Sequence, residues 1–459
     1  MAQTAYIPPR PTPLPTTISL LRTLWQGDGN LLGLLPKDAY TTDIGWLGWS
    51  RRSILIVNSP AEVRTILADP DGIFPKNDLM TGAVEPLIGD SIFVSSGDTW
   101  RRQRRMVAPA FGNLQLSRAF AAMDAAIDAQ EETLDRAAAG GEDVSLDLTM
   151  SWLTADVICR TVFSAPLGPG VAQDVYEDFK IFERSAAHVE LKRLILAPAF
   201  ESIPQHERVL TACARIREHL GTMVDPHLCE GADFDDIASA VVAARDPDTG
   251  AAFTREELID QLGVFFLAGH ETSASALTWA FYIATTRPEI LARIRGEIAE
   301  VCGDGPIAFD HIPKLTYLKN VFKEVLRLYP PITFIPRVAL KPCAIGGRKV
   351  PRGAMIMVAP WTIQRHEKLW KNAASFDPDR WTPERADEIP KDAYIPFGLG
   401  PRICVGAAFA SVEASLILAR LLRRYDIRIA SEKPIRPVAR LTTRPAEEIR
   451  IKIAQRKTA

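Results

Sequence analysis

Paired cysteines are missing from this chain. It has six cysteines, Cys159, Cys213, Cys229, Cys302, Cys343 and Cys404, with no CxxC pair and no zinc-type spacing among them. That pattern excludes a disulfide scaffold and suits a reducing compartment, so a cytoplasmic location is expected. Charge of one sign is missing too, since 54 Lys and Arg face 56 Asp and Glu. A formal net charge of -2 excludes a global attraction to nucleic acid or to an acidic membrane. No run nears the ~18 apolar residues of a spanning helix, and no basic start followed by an apolar core marks a leader. No membrane anchor is expected, and the most apolar N-terminal piece, Ile18 to Trp25, is short and contains Arg22. Internal repeats, a GxGxxG loop and a Walker loop are absent, so no nucleotide-binding module is expected.

What is present is an ordinary globular balance over 459 residues, 47% hydrophobic and 24% charged, large enough for a sizeable core. Pro8, Pro9, Pro11, Pro13 and Pro15 make residues 1–15 read as an extended arm. Residues 16–459 then read as one domain, mainly helical with small β-sheets. Trp46 to Val57 reads as a hairpin with its turn at Gly48 to Arg51. Ala344 to Val350 reads as another, and Ala354 to Val358 as a strand. Thr254-Arg255-Glu256-Glu257 is a capping-box signature opening a long apolar helix that ends before Pro288. Apolar nearly all round, that helix is expected to run through the middle of the protein.

Four constellations carry chemistry. Phe397-Gly398-Leu399-Gly400-Pro401-Arg402-Ile403-Cys404-Val405-Gly406 places one thiol in a glycine loop before an apolar helix that starts with Ala407, Ala408 and Ala410. Glycines let backbone approach a flat ligand, and Arg402 and a helix N-terminus both favour thiolate. Glu324 and Arg327, at i,i+3, share a helix face. Alone they read as a surface pair, but Val321, Phe322, Val325, Leu326, Leu328 and Tyr329 around them point to a buried pair needing a third partner, for which Arg380 is the candidate. Ala268-Gly269-His270-Glu271-Thr272 interrupts the apolar helix with a glycine, an acid and an alcohol. The plain reading is a threonine bonded to the preceding turn; the sharper one is a widened turn for a small ligand or water. His270 lacks an HExxH context and reads as structural or exposed. Trp100 and Arg104 share a helix face, while Arg101, Arg102 and Arg105 are either a solvated basic face or a docking patch for an acidic partner.

In this order along nearly the whole chain, the motifs resemble the cytochrome P450 family. The FGxGPRxCxG form is similar to that of eukaryotic and some bacterial fatty-acid-type members. The resemblance implies haem b between the long central helix and the cysteine-loop helix, with Cys404 as axial thiolate. It implies Trp100, Arg104 and Arg337 as propionate partners, Phe397, Arg402 and Gly406 as further haem contacts, and Glu324, Arg327 and Arg380 as a structural network. Glu271 and Thr272 look like the proton-delivery pair, Glu271 relaying through solvent. Phe93, Phe265, Phe266, Ala268, Ile332, Phe334 and Leu441 look like pocket residues for a lipophilic substrate such as a fatty acid, terpenoid or aromatic. The implied reaction is monooxygenation with O2, electrons coming from a separate ferredoxin-type donor and its reductase, steered by Arg101, Arg102 and Arg105. A peroxide-using peroxygenase, a haem-dependent isomerase and a gas-binding haem protein remain the alternatives.

Overall fold

The computed structural model describes residues 6–456 apart from 20, 22–29, 48–51, 169–174, 176, 180, 184–198, 201–203 and 433–434. Its α-helices are α1 (Pro60–Ala68), α2 (Asp78–Ile88), α3 (Gly97–Val107), α4 (Asn113–Gly140), α5 (Leu146–Phe163), α6 (Glu207–Val224), α7 (Ile237–Ala243), α8 (Arg255–Thr286), α9 (Pro288–Cys302), α10 (Thr316–Leu328), α11 (Pro360–Ile363) and α12 (Ala407–Arg424). Its strands are β1 (Ile44–Trp46), β2 (Leu55–Val57), β3 (Val144–Ser145), β4 (Ile335–Val338), β5 (Cys343–Ile345), β6 (Arg348–Val350), β7 (Met355–Val358), β8 (Tyr425–Ile429), β9 (Pro437–Ala439), β10 (Thr443–Pro445) and β11 (Arg450–Gln455).

The capping box forms as the sequence requires. Thr254 Oγ1 accepts from the Glu257 N–H (3.2 Å) and Glu257 Oε2 from the Thr254 N–H (2.7 Å). Two orphan donors are thereby satisfied at the start of α8. The helix stops at Thr286, before Pro288. It packs against α2, α5, α6, α9, α10 and α12, so its buried residues face every direction. Gly269 permits the close approach of α5. A Cβ there would lie 2.4 Å from Ile158 Cδ1 on α5.

Strands β1, β2, β7 and β4 form one sheet in that order, with β2 and β7 parallel. Strands β3, β11 and β8 form a second sheet, and β5–β6 and β9–β10 are two-stranded. The hairpins expected around Trp46–Val57 and Ala344–Val350 are present as β1–β2 and β5–β6. The expected turn at Gly48 to Arg51, and Leu20 with residues 22–25 of the apolar N-terminal piece, lie outside the described residues. The proline-rich arm is tied to the body. Its Pro9 carbonyl accepts from Tyr329 Oη (2.6 Å), its Tyr6 carbonyl from Phe376 N–H (2.9 Å) and its Leu14 carbonyl from Lys37 N–H (2.9 Å).

Candidate active site

The cysteine loop is shaped by two left-handed glycines, Gly398 (φ +78°) and Gly400 (φ +77°). Any side chain at Gly400 would also strike α1, because its Cβ would stand 2.6 Å from the Leu67 carbonyl oxygen. The loop closes on itself where Cys404 N–H donates to the Phe397 carbonyl (2.9 Å) and Arg104 Nη1 to the Ile403 carbonyl (2.9 Å). Cys404 is open to a water-sized probe, yet protein surrounds its sulfur closely enough that burial pushes the thiol up. The Gly406 N–H and the Arg104 guanidinium pull it back down. Both facts hold for a sulfur lying in an internal hollow. Gly406 then caps α12, and a Cβ on it would reach Phe111 at 4.0 Å.

A matching opening occurs on α8. From Leu258 to Phe281 every residue is buried except Ala268, Gly269 and Thr272. Ala268 and Thr272 are one turn apart on the same face. An exposed alanine inside an otherwise sealed helix marks a hollow within the protein, and with the open Cys404 it fits a flat, apolar group lodged there. Thr272 Oγ1 donates to the Ala268 carbonyl (2.6 Å), the back-bond that threonine makes in helix interiors.

Cations gather nearby, and Asp69 is the carboxylate that acts on Arg337 and Arg402 without pairing with either. Lys76 bridges to Arg337 through paired backbone, its ammonium lies 3.5 Å from the centroid of the Phe93 ring, and it donates to the Phe93 carbonyl. Arg337 is buried and donates to the Pro336 carbonyl (3.1 Å). Arg402 lies 4.3 Å over the Trp100 ring, donates to the Ser95 carbonyl (2.9 Å) and leaves a buried Nη1 without a partner. Among the described residues no carboxylate forms a salt bridge with any of the three. Burial accordingly pushes Lys76 well below the ordinary lysine value, and Arg337 and Arg402 down to about 10. Buried, uncompensated cations are costly, so this cluster fits a ligand that brings carboxylates, as the two propionates of a haem do. Lys76 was not among the sequence candidates, because a single lysine in a loop has no pattern to announce it.

Glu324, Arg327 and Arg380 lie together behind this region, all fully buried. Arg327 uses all five donors: Nε (2.9 Å) and Nη2 (2.7 Å) on Glu324, and the rest on the carbonyls of Gln364, Ala373 and Ser375. Arg380 Nε reaches Glu324 at 3.5 Å, and Trp381 Nε1, which the sequence did not single out, donates to Glu324 Oε2 (3.0 Å).

Other expectations need correction. Glu271 does not open to solvent; it is 2% exposed. Its carboxylate accepts from both Nε (3.0 Å) and Nη2 of Arg444 and from Thr442 Oγ1 (2.6 Å). Burial raises its pKa, but these partners outweigh burial and hold it below the usual carboxylate value. Arg444 escaped the sequence because its partner is 173 positions away. Phe265 is buried edge-on against Phe111 (5.0 Å) and Phe266 is stacked on His270 (5.6 Å). His270 itself is buried, and burial pushes its imidazole down to about 4. Phe93, Ile332, Phe334 and Leu441 are half-buried. The basic cluster is largely neutralised. Arg101 pairs with Asp98 (2.6 Å), Arg102 with Glu257 (2.6 Å), and Arg105 with Asp248 and Asp246. No helix among the described residues is long and apolar enough to cross a membrane.

Known proteins share this arrangement. Residues 8–453 match the Cytochrome P450 family. The chain is 32% identical over 414 residues to cyclooctat-9-en-7-ol 5-monooxygenase of Streptomyces melanosporofaciens, covering 88% of this chain and 86% of that one. It is 30% identical over 404 residues to pentalenene oxygenase of Streptomyces avermitilis, covering 86% and 87% respectively. Its fold is similar to that of the cytochrome P450DA heme domain, with a TM-score of 0.77, 23% identity and 88% of each chain covered. The chain therefore belongs to the cytochrome P450 family, as a monooxygenase whose cofactor is haem b.

Proposed function

We propose that this protein hydroxylates a lipophilic small molecule of terpenoid type, acting through one catalytic domain, residues 16–459, that follows the arm 1–15. The observation that carries the reading is the exposure of Cys404 together with that of Ala268, Gly269 and Thr272 in the otherwise buried Leu258 to Phe281 stretch of α8, with half-buried Ile332, Phe334 and Leu441 as the proposed apolar walls. The relatives named for cyclooctat-9-en-7-ol and pentalenene support the terpenoid class over a fatty acid. Six free cysteines suit a cytoplasmic setting.

Haem b held by a thiolate supplies the activation of dioxygen when bound. Cys404 would hold the iron, with the Gly406 N–H and Arg104 offsetting part of the cost that burial sets on its thiolate and Phe397 fixing the loop from its carbonyl. Lys76, Arg337 and Arg402 would hold the propionates, and Trp100 holds Arg402 in place by stacking. Thr272 would pass protons at its Oγ1, which must leave the Ala268 carbonyl to do so. Glu324, Arg327 and Arg380 would keep the wall behind the haem rigid. The overall balance is one C–H bond, O2, two electrons and two protons giving one C–OH and one water. The electrons would come from a ferredoxin-type protein and its reductase, meeting the exposed Ile403 beside Cys404.

The test is turnover of a terpenoid panel with NADPH, ferredoxin and reductase, products being identified by mass spectrometry. Hydroxylated product is expected, and so is the red-shifted carbon monoxide band of a thiolate-bound haem, lost in Cys404→Ser. Turnover only with added hydrogen peroxide, and none with NADPH, ferredoxin and reductase, would overturn the reading.

A further inference from the structure

The hairpin β9–β10 carries Leu441 at its turn, where Arg440 N–H donates to the Thr442 carbonyl (3.0 Å). Alternation along a strand puts residues two apart on the same face. Thr442 and Arg444 accordingly both reach one side chain, Glu271, whose two oxygens they share. The residue between them is fastened as well. The Thr443 carbonyl accepts from Ser275 Oγ (2.8 Å) and Trp279 Nε1 (2.8 Å), both on α8. The Thr443 N–H donates to the Pro331 carbonyl (3.0 Å) and its hydroxyl to the Pro330 carbonyl. Pro330 and Pro331 lead directly into Ile332 and Phe334, two of the other walls. The hairpin tip, the segment after α10 and the central helix thus meet at one joint, and its charged members are Glu271 on α8 and Arg444 on the hairpin.

The geometry points to Glu271 as a positioning residue that sets the shape of the substrate pocket by clamping the Leu441 hairpin to α8 through Arg444. Three donors occupy the carboxylate, and none of them is a group that leads to solvent. Its neighbour Thr272 is left to handle protons. Loss of the charge at Glu271 takes from the half-buried Arg444 its bidentate partner and leaves Glu183 and Asp147 as the remaining carboxylates acting on it, an unfavourable arrangement that the hairpin relieves by moving away. The inference rests on the pocket assignment above, but not on the identity of the substrate.

The experiment compares Glu271→Gln, Arg444→Gln and Thr272→Ala in the haem-loaded protein, by two readouts that need no turnover. One is backbone hydrogen exchange over residues 440–445; the other is binding of 4-phenylimidazole, followed by the optical shift of the haem. The expected result is faster hairpin exchange and affinity weakened on the order of tenfold in both Glu271→Gln and Arg444→Gln, with Thr272→Ala unchanged in exchange. A proton relay through Glu271 requires the opposite pattern: Glu271→Gln with native exchange and affinity, and Arg444→Gln with a freed carboxylate and faster turnover. That outcome overturns the inference. The double variant Glu271→Leu/Arg444→Leu, which removes both charges together, keeps the fold if either single change proves too disruptive. In it, native hairpin exchange and native ligand affinity together would equally refute a clamp. A failed terpenoid screen alongside a loosened hairpin would refute the substrate and leave the clamp standing.

Discussion

Glu413 is a carboxyl group buried without a cation. It lies on α12, fully buried, where Oε2 accepts from Ser273 Oγ (2.6 Å) and Oε1 finds no partner among the described residues. Burial pushes its pKa up to about 8, and the Ser273 hydrogen bond offsets only part of that. The folded protein therefore holds a proton on Glu413 at pH values where the unfolded chain, with an ordinary value of 4.5, has released it. A folded value raised above the unfolded one gives stability that is whole below about 4.5 and is lost as pH rises toward about 8. At 1.36 kcal/mol per pH unit, that separation corresponds to roughly 5 kcal/mol across the window. This is a large share of the ~5–15 kcal/mol that typically holds a domain folded. Glu413→Gln keeps the shape, the Ser273 acceptor and a neutral side chain, so it removes the titration and little else. Urea unfolding of wild type and Glu413→Gln, measured from about pH 5 to about pH 9, gives the difference directly. The variant should match wild type at the acid end and exceed it increasingly toward the alkaline end. Parallel profiles would falsify the reasoning, since they would mean that Glu413 ionises in the folded protein as easily as in the unfolded chain.

Three further outcomes follow from the site. Lys76→Met should stabilise the haem-free chain by on the order of 1 kcal/mol and speed haem loss from the loaded protein; calorimetry and haem transfer to apomyoglobin measure the two opposite signs. Glu324→Gln leaves Arg327 and Arg380 with a weakened acceptor and should cost about 3–5 kcal/mol, read as a lower urea midpoint. Thr272→Ala should keep electron consumption while lowering product, by about 10²-fold, with peroxide released instead; unchanged coupling would place proton delivery elsewhere.

The local rules made much of the architecture readable. Thr254 and Glu257 stand three positions apart, so a cap they share is visible in the sequence. Glu324 and Arg327 are one turn apart with apolar neighbours, which points to burial before any coordinates. The Gly398–Gly406 loop is legible for the same reason, since all of its constraints lie within ten residues. What stayed hidden depends on distant pairing. Arg105 finds Asp246 and Asp248, and Glu271 finds Arg444, only because separate elements converge. The burial of Phe265 and Phe266 is not legible either, because helix rotation, which decides what each side chain faces, leaves no mark when neighbours on all sides are apolar.

Gly269 has an evolutionary consequence. A methyl group there would fall 2.4 Å from Ile158 Cδ1 and 2.9 Å from its Cγ1, so the two positions cannot vary independently. Gly269→Ala alone should be strongly unfavourable, while the same change on an Ile158→Ala background should be tolerated, giving a large interaction energy in a double-mutant cycle. Drift at this turn of α8 is thus conditional on what α5 carries, and a substitution harmless in a relative with a smaller residue at position 158 would be deleterious here.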